Sequence, residues 1–257
     1  MTSTWIELSI DGSTAKTYLA TPDGPGPHPG AVVAQHAGGV DTFIRSFCDR
    51  LAEAGYAAIA PNMYHRQDGM DFEELAKMPQ DHPDRWDTMM GKAQQMTDDG
   101  IVADMNAGFA HLAGMPEVDG NAIGVTGFCG GGRVAYLMAA RNPGFKASAV
   151  FHGGAIMNAR GHDGASPFDL TSDISCPVAG FFGKDDQNPS PDDVAKISAE
   201  MDKFNKPHQF HSYEATGHSF LDQTNPRAYR EKSGADAWEK LKVFFGEQLK
   251  VSAGVAS

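Results

Sequence analysis

The stretch VTGFCGGGR, residues 125–133, is an apolar segment that ends in a cysteine flanked by glycines. Gly127 and Gly131 lie two residues either side of Cys129, which is the spacing of a Gly-x-nucleophile-x-Gly elbow with cysteine in place of the more usual serine. A chain that turns from strand to helix within about one residue strains the nucleophile's backbone and brings its second neighbours too close for a Cβ. The stretch therefore predicts an exposed thiol at the top of a sheet, beside the first N–H groups of the next helix.

Strands and helices alternate around this elbow. The hydrophobic pattern predicts strands at residues 31–35, 56–61, 121–127, 147–151, 177–182 and 209–213, after a hairpin at 5–10 and 16–20. It predicts helices at 43–54, 99–113, 130–141, 191–204 and 228–249. This order indicates an α/β fold in which helices cover both faces of a mostly parallel central sheet, with functional groups at the carboxyl ends of the strands.

Residues 62–98 are polar and rich in methionine, without a clear period. A segment of this length is typical of a functional loop or a partial helical cap, so we predict a lid over the site. No repeat or linker divides the chain, which favours one domain over residues 1–257.

The net charge and the cysteine content of the chain argue against some classes of partner and compartment. The chain has 257 residues, of which 41 % are hydrophobic, and a formal net charge of −12, which disfavours nucleic-acid or anionic-membrane partners. Its three cysteines are an odd number without CxxC spacing, as in a reducing compartment. With no signal-peptide pattern and no apolar run of about 20 residues, a cytoplasmic protein, monomer or homodimer, is expected.

An elbow of this kind requires an acid and then a histidine, each after a later strand. Asp186 follows the strand predicted to end at Phe182, and His218 follows the strand predicted to end at Tyr213. A thiol with a pKa of about 8.5 needs an imidazole to take its proton, and the imidazole needs a carboxylate to orient it. Cys48 and Cys176 lie on predicted core elements and are expected to be structural.

The order and placement resemble the dienelactone hydrolase (carboxymethylenebutenolidase) family of α/β-hydrolase-fold enzymes over about residues 14–247. The likeness is carried by Gly127-Phe-Cys-Gly-Gly-Gly-Arg133, Gly183-x-x-Asp186, Gly217-His-Ser-Phe220, Gln35-x-x-Gly38-Gly39 and Ala60-Pro-Asn-Met-Tyr64-x-Arg66-Gln67. The resemblance implies hydrolysis of a small ester or lactone through a thioester, without cofactor or metal.

Residue by residue, the resemblance implies that Cys129 is the nucleophile, Asp186 the orienting acid and His218 the base. The N–H groups of Ala37 and Gly130 resemble an oxyanion hole.

Two positions depart from the family. Family members typically carry a glutamate directly after the glutamine, where this chain has His36. A neutral imidazole there could hydrogen-bond the thiol without supplying a carboxylate's charge. Four residues past the histidine, the dienelactone enzymes carry an arginine that holds the substrate carboxylate. This chain has Asp222, and an acidic group at that spot would repel an anionic substrate.

Further residues are candidates for contact with substrate or for tuning the thiol. Arg66 and Arg85 could hold a substrate anion, with Tyr64 and Trp86 as apolar walls. His152 could line the pocket or satisfy local backbone groups, and Phe128 directly precedes the nucleophile. His65 is expected to be solvated.

Two alternatives stay open at the same cysteine. One is hydrolysis of organophosphate or aryl esters, which the absence of the carboxylate-binding arginine motivates. The other belongs to a different class: a thiol-based redox or interaction protein on a hydrolase scaffold, in which Cys129 senses oxidants.

Overall fold

The computed structural model describes residues 1–67, 72–78, 82–160 and 164–250. It contains one sheet of eight strands. The strands are β1 (Thr2–Ile10), β2 (Ser13–Thr21), β3 (His28–Ala34), β4 (Ala57–Pro61), β5 (Val118–Phe128), β6 (Ala147–Phe151), β7 (Val178–Gly183) and β8 (His208–Tyr213). Their order in the sheet is β1-β2-β4-β3-β5-β6-β7-β8. At one edge β1 pairs antiparallel with β2, and β2 pairs antiparallel with β4. The strand pairs from β4 through to β8 are parallel.

Helices flank this sheet. They are α1 (Thr42–Glu53), α2 (Phe72–Lys77), α3 (Pro83–Gln95), α4 (Asp98–Gly114), α5 (Gly130–Arg141), α6 (Pro191–Lys203) and α7 (Glu231–Gln248), with a 3₁₀ helix at Phe168–Asp173. Each strand and helix predicted from the sequence has a counterpart, with bounds that differ by at most three residues. The predicted α/β fold with a mostly parallel sheet is confirmed.

The sheet separates two hydrophobic cores. On one face Phe47 of α1 packs in the same core as Leu241 of α7. On the other face, Met105 of α4 and Leu137 of α5 share the second core. Residues 31–34 of β3 alternate between these cores and are fully buried, which explains why the apolar run is continuous there.

Residues 62–98 include two helices that the sequence pattern did not resolve, α2 and α3. The longer helix, α3, begins at Pro83, and the side chain of His82 accepts a hydrogen bond from the N–H of Asp84. Its exposed residues include the large hydrophobic Trp86, so no clean apolar stripe marks it as a helix. The capping residues are therefore the stronger signal for α3.

The parallel strands bring distant parts of the chain to one edge. Loops that leave the carboxyl ends of β3, β5, β6, β7 and β8 carry His36, Cys129, His152, Asp186 and His218. The predicted functional edge of the sheet is therefore the edge where these side chains lie. None of the helices in the described part of the chain is long and apolar enough to cross a membrane.

Candidate active site

Cys129 occupies a strained turn between β5 and α5, with φ 57° and ψ −121°. A Cβ on Gly127 would lie 2.1 Å from the carbonyl oxygen of Gly131, and a Cβ on Gly131 would lie 2.3 Å from the carbonyl oxygen of Ala34. Both positions therefore require glycine, as the spacing predicts. The turn leaves Cys129 only partly buried at the start of α5.

Two neighbouring loops bring Asp186 and His218 together. A Cβ on Gly183 would lie 2.2 Å from the carbonyl oxygen of Thr216, so only glycine lets the loops after β7 and β8 approach this closely. The N–H of Asp185 donates to that same carbonyl at 2.9 Å. As a result, Oδ2 of the buried Asp186 lies 2.8 Å from Nδ1 of His218.

The Cys129 thiol and His218 share a hydrogen bond. Burial alone would raise the pKa of Cys129, but this hydrogen bond and the positive charges of His218 and His36 lower it below its ordinary value. Burial opposes a charge on His218, yet the hydrogen bonds to Asp186 and Cys129 raise its pKa to about 10. The two shifts favour a thiolate beside an imidazolium.

His152 supports the backbone of the elbow. Its Nδ1 accepts a hydrogen bond of 3.1 Å from the N–H of Cys129, which also donates to the carbonyl of Phe151 at 3.1 Å. The rings of His152 and His218 lie 4.5 Å apart. Burial, with the charges of His218 and His36, holds the pKa of His152 well below its ordinary value, so this ring is neutral. Two roles were considered for His152: lining the pocket or hydrogen-bonding local backbone groups. The structure shows the second, since the ring accepts the N–H of Cys129.

His36 is paired with an acid that the sequence analysis did not consider. Its Nε2 lies 2.9 Å from Oδ2 of Asp41, whose other oxygen accepts the N–H groups of Phe43 and Ile44 at the start of α1. Burial opposes a charge on His36, but Asp41, with a smaller contribution from Asp222, raises its pKa to about 9. The sequence analysis considered a neutral imidazole at this position, whereas the buried carboxylate of Asp41 favours the protonated ring.

A cavity of about 110 Å³ opens beside Cys129. Its lining is Gln35, His36, Ala37, Tyr64, Met90, Ala93, Met96, Cys129, Gly130, Gly154, Ala155, Arg160 and Asn188. Over the described residues, neither Ala37 nor Gly130 donates its N–H to a main-chain carbonyl. The Gly130 amide is directed at the sulfur of Cys129. The hydroxyl of Tyr64 donates to the carbonyl of Ala37 at 3.0 Å, so Tyr64 also supports the loop.

Several predicted contact residues lie elsewhere. The guanidinium of Arg66 pairs with Asp104 at 2.7 Å and with Asp11 at 3.0 Å, and it lines a separate cavity. His65, expected to be solvated, has a side chain that is only 1 % exposed and lies 2.9 Å from the same Asp104 carboxylate. The structure therefore does not place Arg66 at the cavity beside Cys129, since acids within the fold already neutralise it.

Arg85 and Trp86 also lie outside the lining of this cavity. Arg85 donates to the carbonyls of Leu75 and Met78 at 2.6 and 2.7 Å, where α2 ends. Trp86 is 65 % exposed, so it does not form a buried apolar wall. Both side chains line an adjoining cleft that also contains His36 and Asp222.

Phe128 is fully buried and stacks on Phe151 with ring centroids 4.9 Å apart. It belongs to the core below the elbow, so it supports the strand and does not contact the cavity. Asp222 is buried, and its Oδ1 accepts hydrogen bonds from the N–H and hydroxyl of Thr224. Its charge therefore acts on His36 from the adjoining cleft, and it does not line the cavity.

Sequence reasoning missed Arg160, Met90 and Met96, which line the cavity. Arg160 follows the irregular loop after β6, where no motif marks it. In the ranges that the structure describes, no group of three His, Cys, Asp or Glu side chains is arranged to hold a metal ion.

A model of the family described as "Dienelactone hydrolase family" matches residues 15–249. The chain belongs to the dienelactone hydrolase family. Relatives of this hydrolase family match nearly its whole length. It is 32 % identical over 234 residues to a Synechocystis protein named "Putative carboxymethylenebutenolidase", covering 91 % of this chain and 92 % of that protein.

Solved structures of the family have the same architecture. A Klebsiella pneumoniae protein described as "Putative Dienelactone Hydrolase" superposes with a TM-score of 0.82 at 28 % identity, covering 96 % of this chain and 100 % of that one. A dienelactone hydrolase-like promiscuous phosphotriesterase from metagenomic libraries superposes with a TM-score of 0.79 at 21 % identity, covering 97 % and 99 %. Because the identity to the phosphotriesterase is only 21 %, that superposition shows a shared fold and nothing more.

Proposed function

We propose that this dienelactone hydrolase family member cleaves a small ester or lactone with Cys129 as nucleophile, His218 as base and Asp186 as the acid that orients His218. The observation that carries the proposal is the hydrogen-bonded series from Asp186 through His218 to a thiol at a strained elbow. A thiolate so formed is a strong nucleophile, and the neighbouring cavity can admit a small molecule.

The reaction follows from this geometry. The sulfur of Cys129, its proton held by His218, attacks the carbonyl carbon, and the resulting oxyanion accepts hydrogen bonds from the N–H groups of Ala37 and Gly130. When the tetrahedral intermediate collapses, the carbon–oxygen bond to the alcohol breaks and His218 gives its proton to the leaving oxygen. A thioester remains on Cys129. His218 then takes a proton from water, the hydroxide attacks the thioester, and the acid and the thiolate are released.

Three groups around the sulfur would prepare this reaction. The cation of His36, held by Asp41, favours the thiolate before substrate arrives. His152 holds the backbone N–H of Cys129 and so keeps the elbow in its strained form. Tyr64 donates to the carbonyl of Ala37 and so would hold in place the loop that carries the Ala37 N–H.

Residues 62–98 would serve as a lid within a single 1–257 domain. Met90, Ala93 and Met96 form an apolar side of the cavity, and they come from the end of α3 and the residue after it. An apolar cover would exclude bulk water from the thioester and strengthen the charges at the site. Three unpaired cysteines in the described ranges suit the reducing cytoplasm, where the protein would act as a monomer or homodimer on a small-molecule substrate.

Turnover of 4-nitrophenyl acetate tests the proposal. We expect Cys129→Ala, His218→Gln and Asp186→Asn to lower kcat/KM by about 10³-fold or more for the first two and less for the third. Cys176→Ser is the matched control, because this cysteine is buried away from the cavity. Acid quench of the wild type should trap an acetyl group on Cys129. Activity that survives Cys129→Ala would refute the mechanism.

A second candidate is hydrolysis of organophosphate or aryl esters at the same three residues. Its support is Asp222, which stands where the dienelactone enzymes carry a carboxylate-binding arginine, together with the activity named for one fold neighbour. Comparing kcat/KM on phosphotriesters and on carboxylic esters decides between these two. Absence of turnover on every ester, with Cys129 still readily alkylated, would favour the thiol-based redox protein instead.

A further inference from the structure

Arg160 stands at the edge of the cavity that contains Cys129. It is partly buried, and within the ranges that the structure describes its Nη1 donates one hydrogen bond, to the carbonyl of Ala93 at 3.3 Å. A guanidinium carries five N–H donors and stays protonated in proteins. Among the described residues, most of its N–H donors therefore have no hydrogen-bond acceptor.

The carboxylate that acts on Arg160, that of Asp98, is already paired with another arginine. Asp98 attracts Arg160 through space, but both of its carboxylate oxygens are bound by Arg133, which is fully buried. Arg133 also fixes the loop that leads to Arg160, through hydrogen bonds to the carbonyls of Ala155 and Asn158 at 3.1 and 2.8 Å. Within the described residues, no carboxylate lies within ion-pair distance of Arg160.

A partly buried cation that has no counter-ion among the described residues carries a cost, so its place in the lining of this cavity requires a reason. The two histidine cations closest to Cys129 each have an acid: Asp41 for His36 and Asp186 for His218. The protein as a whole is acidic, with a formal net charge of −12, and would repel small anions. Among the described residues, Arg160 is the cavity-lining cation that has no acid at ion-pair distance.

We infer that Arg160 determines substrate specificity by binding a carboxylate on the ester or lactone while Cys129 attacks its carbonyl. This inference rests on the proposed function of Cys129. It reverses the expectation drawn from Asp222, because Asp222 lies in the adjoining cleft whereas Arg160 lines the cavity itself. The substrates are then small esters or lactones that carry a negative charge, and the carboxylate takes two N–H donors of the guanidinium.

Matched esters test this inference. One pair places the charge on the acyl side: the mono-4-nitrophenyl ester of adipic acid and 4-nitrophenyl hexanoate, which have acyl chains of equal length. The other places it on the leaving group: 4-acetoxybenzoate and its methyl ester. For each pair the quantity measured is the ratio of kcat/KM for the charged ester to that for the neutral ester.

We expect Arg160→Gln to lower this ratio by about 10-fold or more in at least one pair, mainly through a higher KM for the charged ester. Arg160→Lys should retain part of the ratio, since it keeps the charge and loses the two-pronged contact. Lys203→Gln is the control: it also removes one positive charge, from the exposed end of α6 at the opposite edge of the sheet. Its ratios should equal those of the wild type.

Ratios unchanged by Arg160→Gln in both pairs would overturn the inference, and so would an equal loss of turnover on charged and neutral esters, which is the result of a purely structural role. Failure of the proposed function is distinguishable. It would appear as neutral-ester turnover that survives Cys129→Ala, whatever the ratios of the Arg160 variants.

Discussion

The carboxylate of Asp41 lies 2.9 Å from Nε2 of His36, and this pair places a positive charge in the lining of the cavity that contains Cys129. The acid raises the pKa of His36 to about 9, against the effect of burial. The charge is therefore present at neutral pH and is lost as the pH rises through about 9. The stabilisation of the Cys129 thiolate by this charge should therefore be present at neutral pH and be lost as the pH rises through about 9.

We predict that His36→Gln slows alkylation of Cys129 by iodoacetamide several-fold at pH 6.5 and changes it little at pH 9.5. The neutral side chain no longer favours the thiolate, so the thiol titrates at higher pH. Asp41→Asn should act in the same direction, because it lowers the pKa of His36. Rate–pH curves of His36→Gln that superpose on the wild-type curve would show that His36 does not act on the sulfur.

The three cysteines should differ sharply in reactivity. Cys48 and Cys176 are buried, and burial raises the pKa of both, that of Cys176 to about 12. At pH 7 we predict that native protein takes up one equivalent of iodoacetamide, on Cys129, and that three are taken up in denaturant. Peptide mass spectrometry gives the sites. Equal labelling of Cys176 in the native protein would contradict the burial of its side chain.

Gly127→Ala should destabilise the protein far more than Gly130→Ala. The first Cβ meets a main-chain oxygen at 2.1 Å, which cannot give way without moving α5, whereas the second finds no atom within 4 Å. We predict a loss of about 3 kcal/mol or more for Gly127→Ala, and a change within about 1 kcal/mol for Gly130→Ala. Urea unfolding measures both. Similar unfolding midpoints for the two variants would mean that the elbow can relax.

The buried ion pair of Arg133 and Asp98 can be tested by removing one partner and then both, and measuring the free energy of unfolding by urea. Arg133→Met leaves Asp98 buried without its partner and should cost about 3–5 kcal/mol of stability. Adding Asp98→Leu should recover much of that loss, since no unpaired charge remains. A double variant no more stable than Arg133→Met would indicate instead that the contacts of Arg133 to Ala155 and Asn158 dominate.

Features that depend on neighbouring residues were predictable. The strands, most helices and the glycines at Gly127 and Gly131 follow from apolar periodicity and from sterics within a few residues of Cys129. The chain order of Cys129, Asp186 and His218 could be read from the sequence. That their loops lie close together was also predictable, because the carboxyl ends of parallel strands meet at one edge of the sheet. Their roles in catalysis remain a proposal.

Charged side chains were harder to assign, because their roles depend on partners far away in sequence. Arg66 and Arg85 were expected at the site, but Asp104 and the carbonyls at the end of α2 engage them. His65 was expected in solvent, yet it is buried between Asp104 and Ser13. Composition alone shows no difference between these side chains and Arg160.

The sequence by itself determined the sheet, the elbow and the order of the three candidate catalytic residues, since periodicity and glycine spacing act locally along the chain. Only the tertiary structure decided which cations have acids beside them: His36 has Asp41, Arg133 has Asp98, and Arg160 has a cavity. The physical reason is that the energy of a charge depends on the distance to its partners and on burial, and both are set by packing between elements.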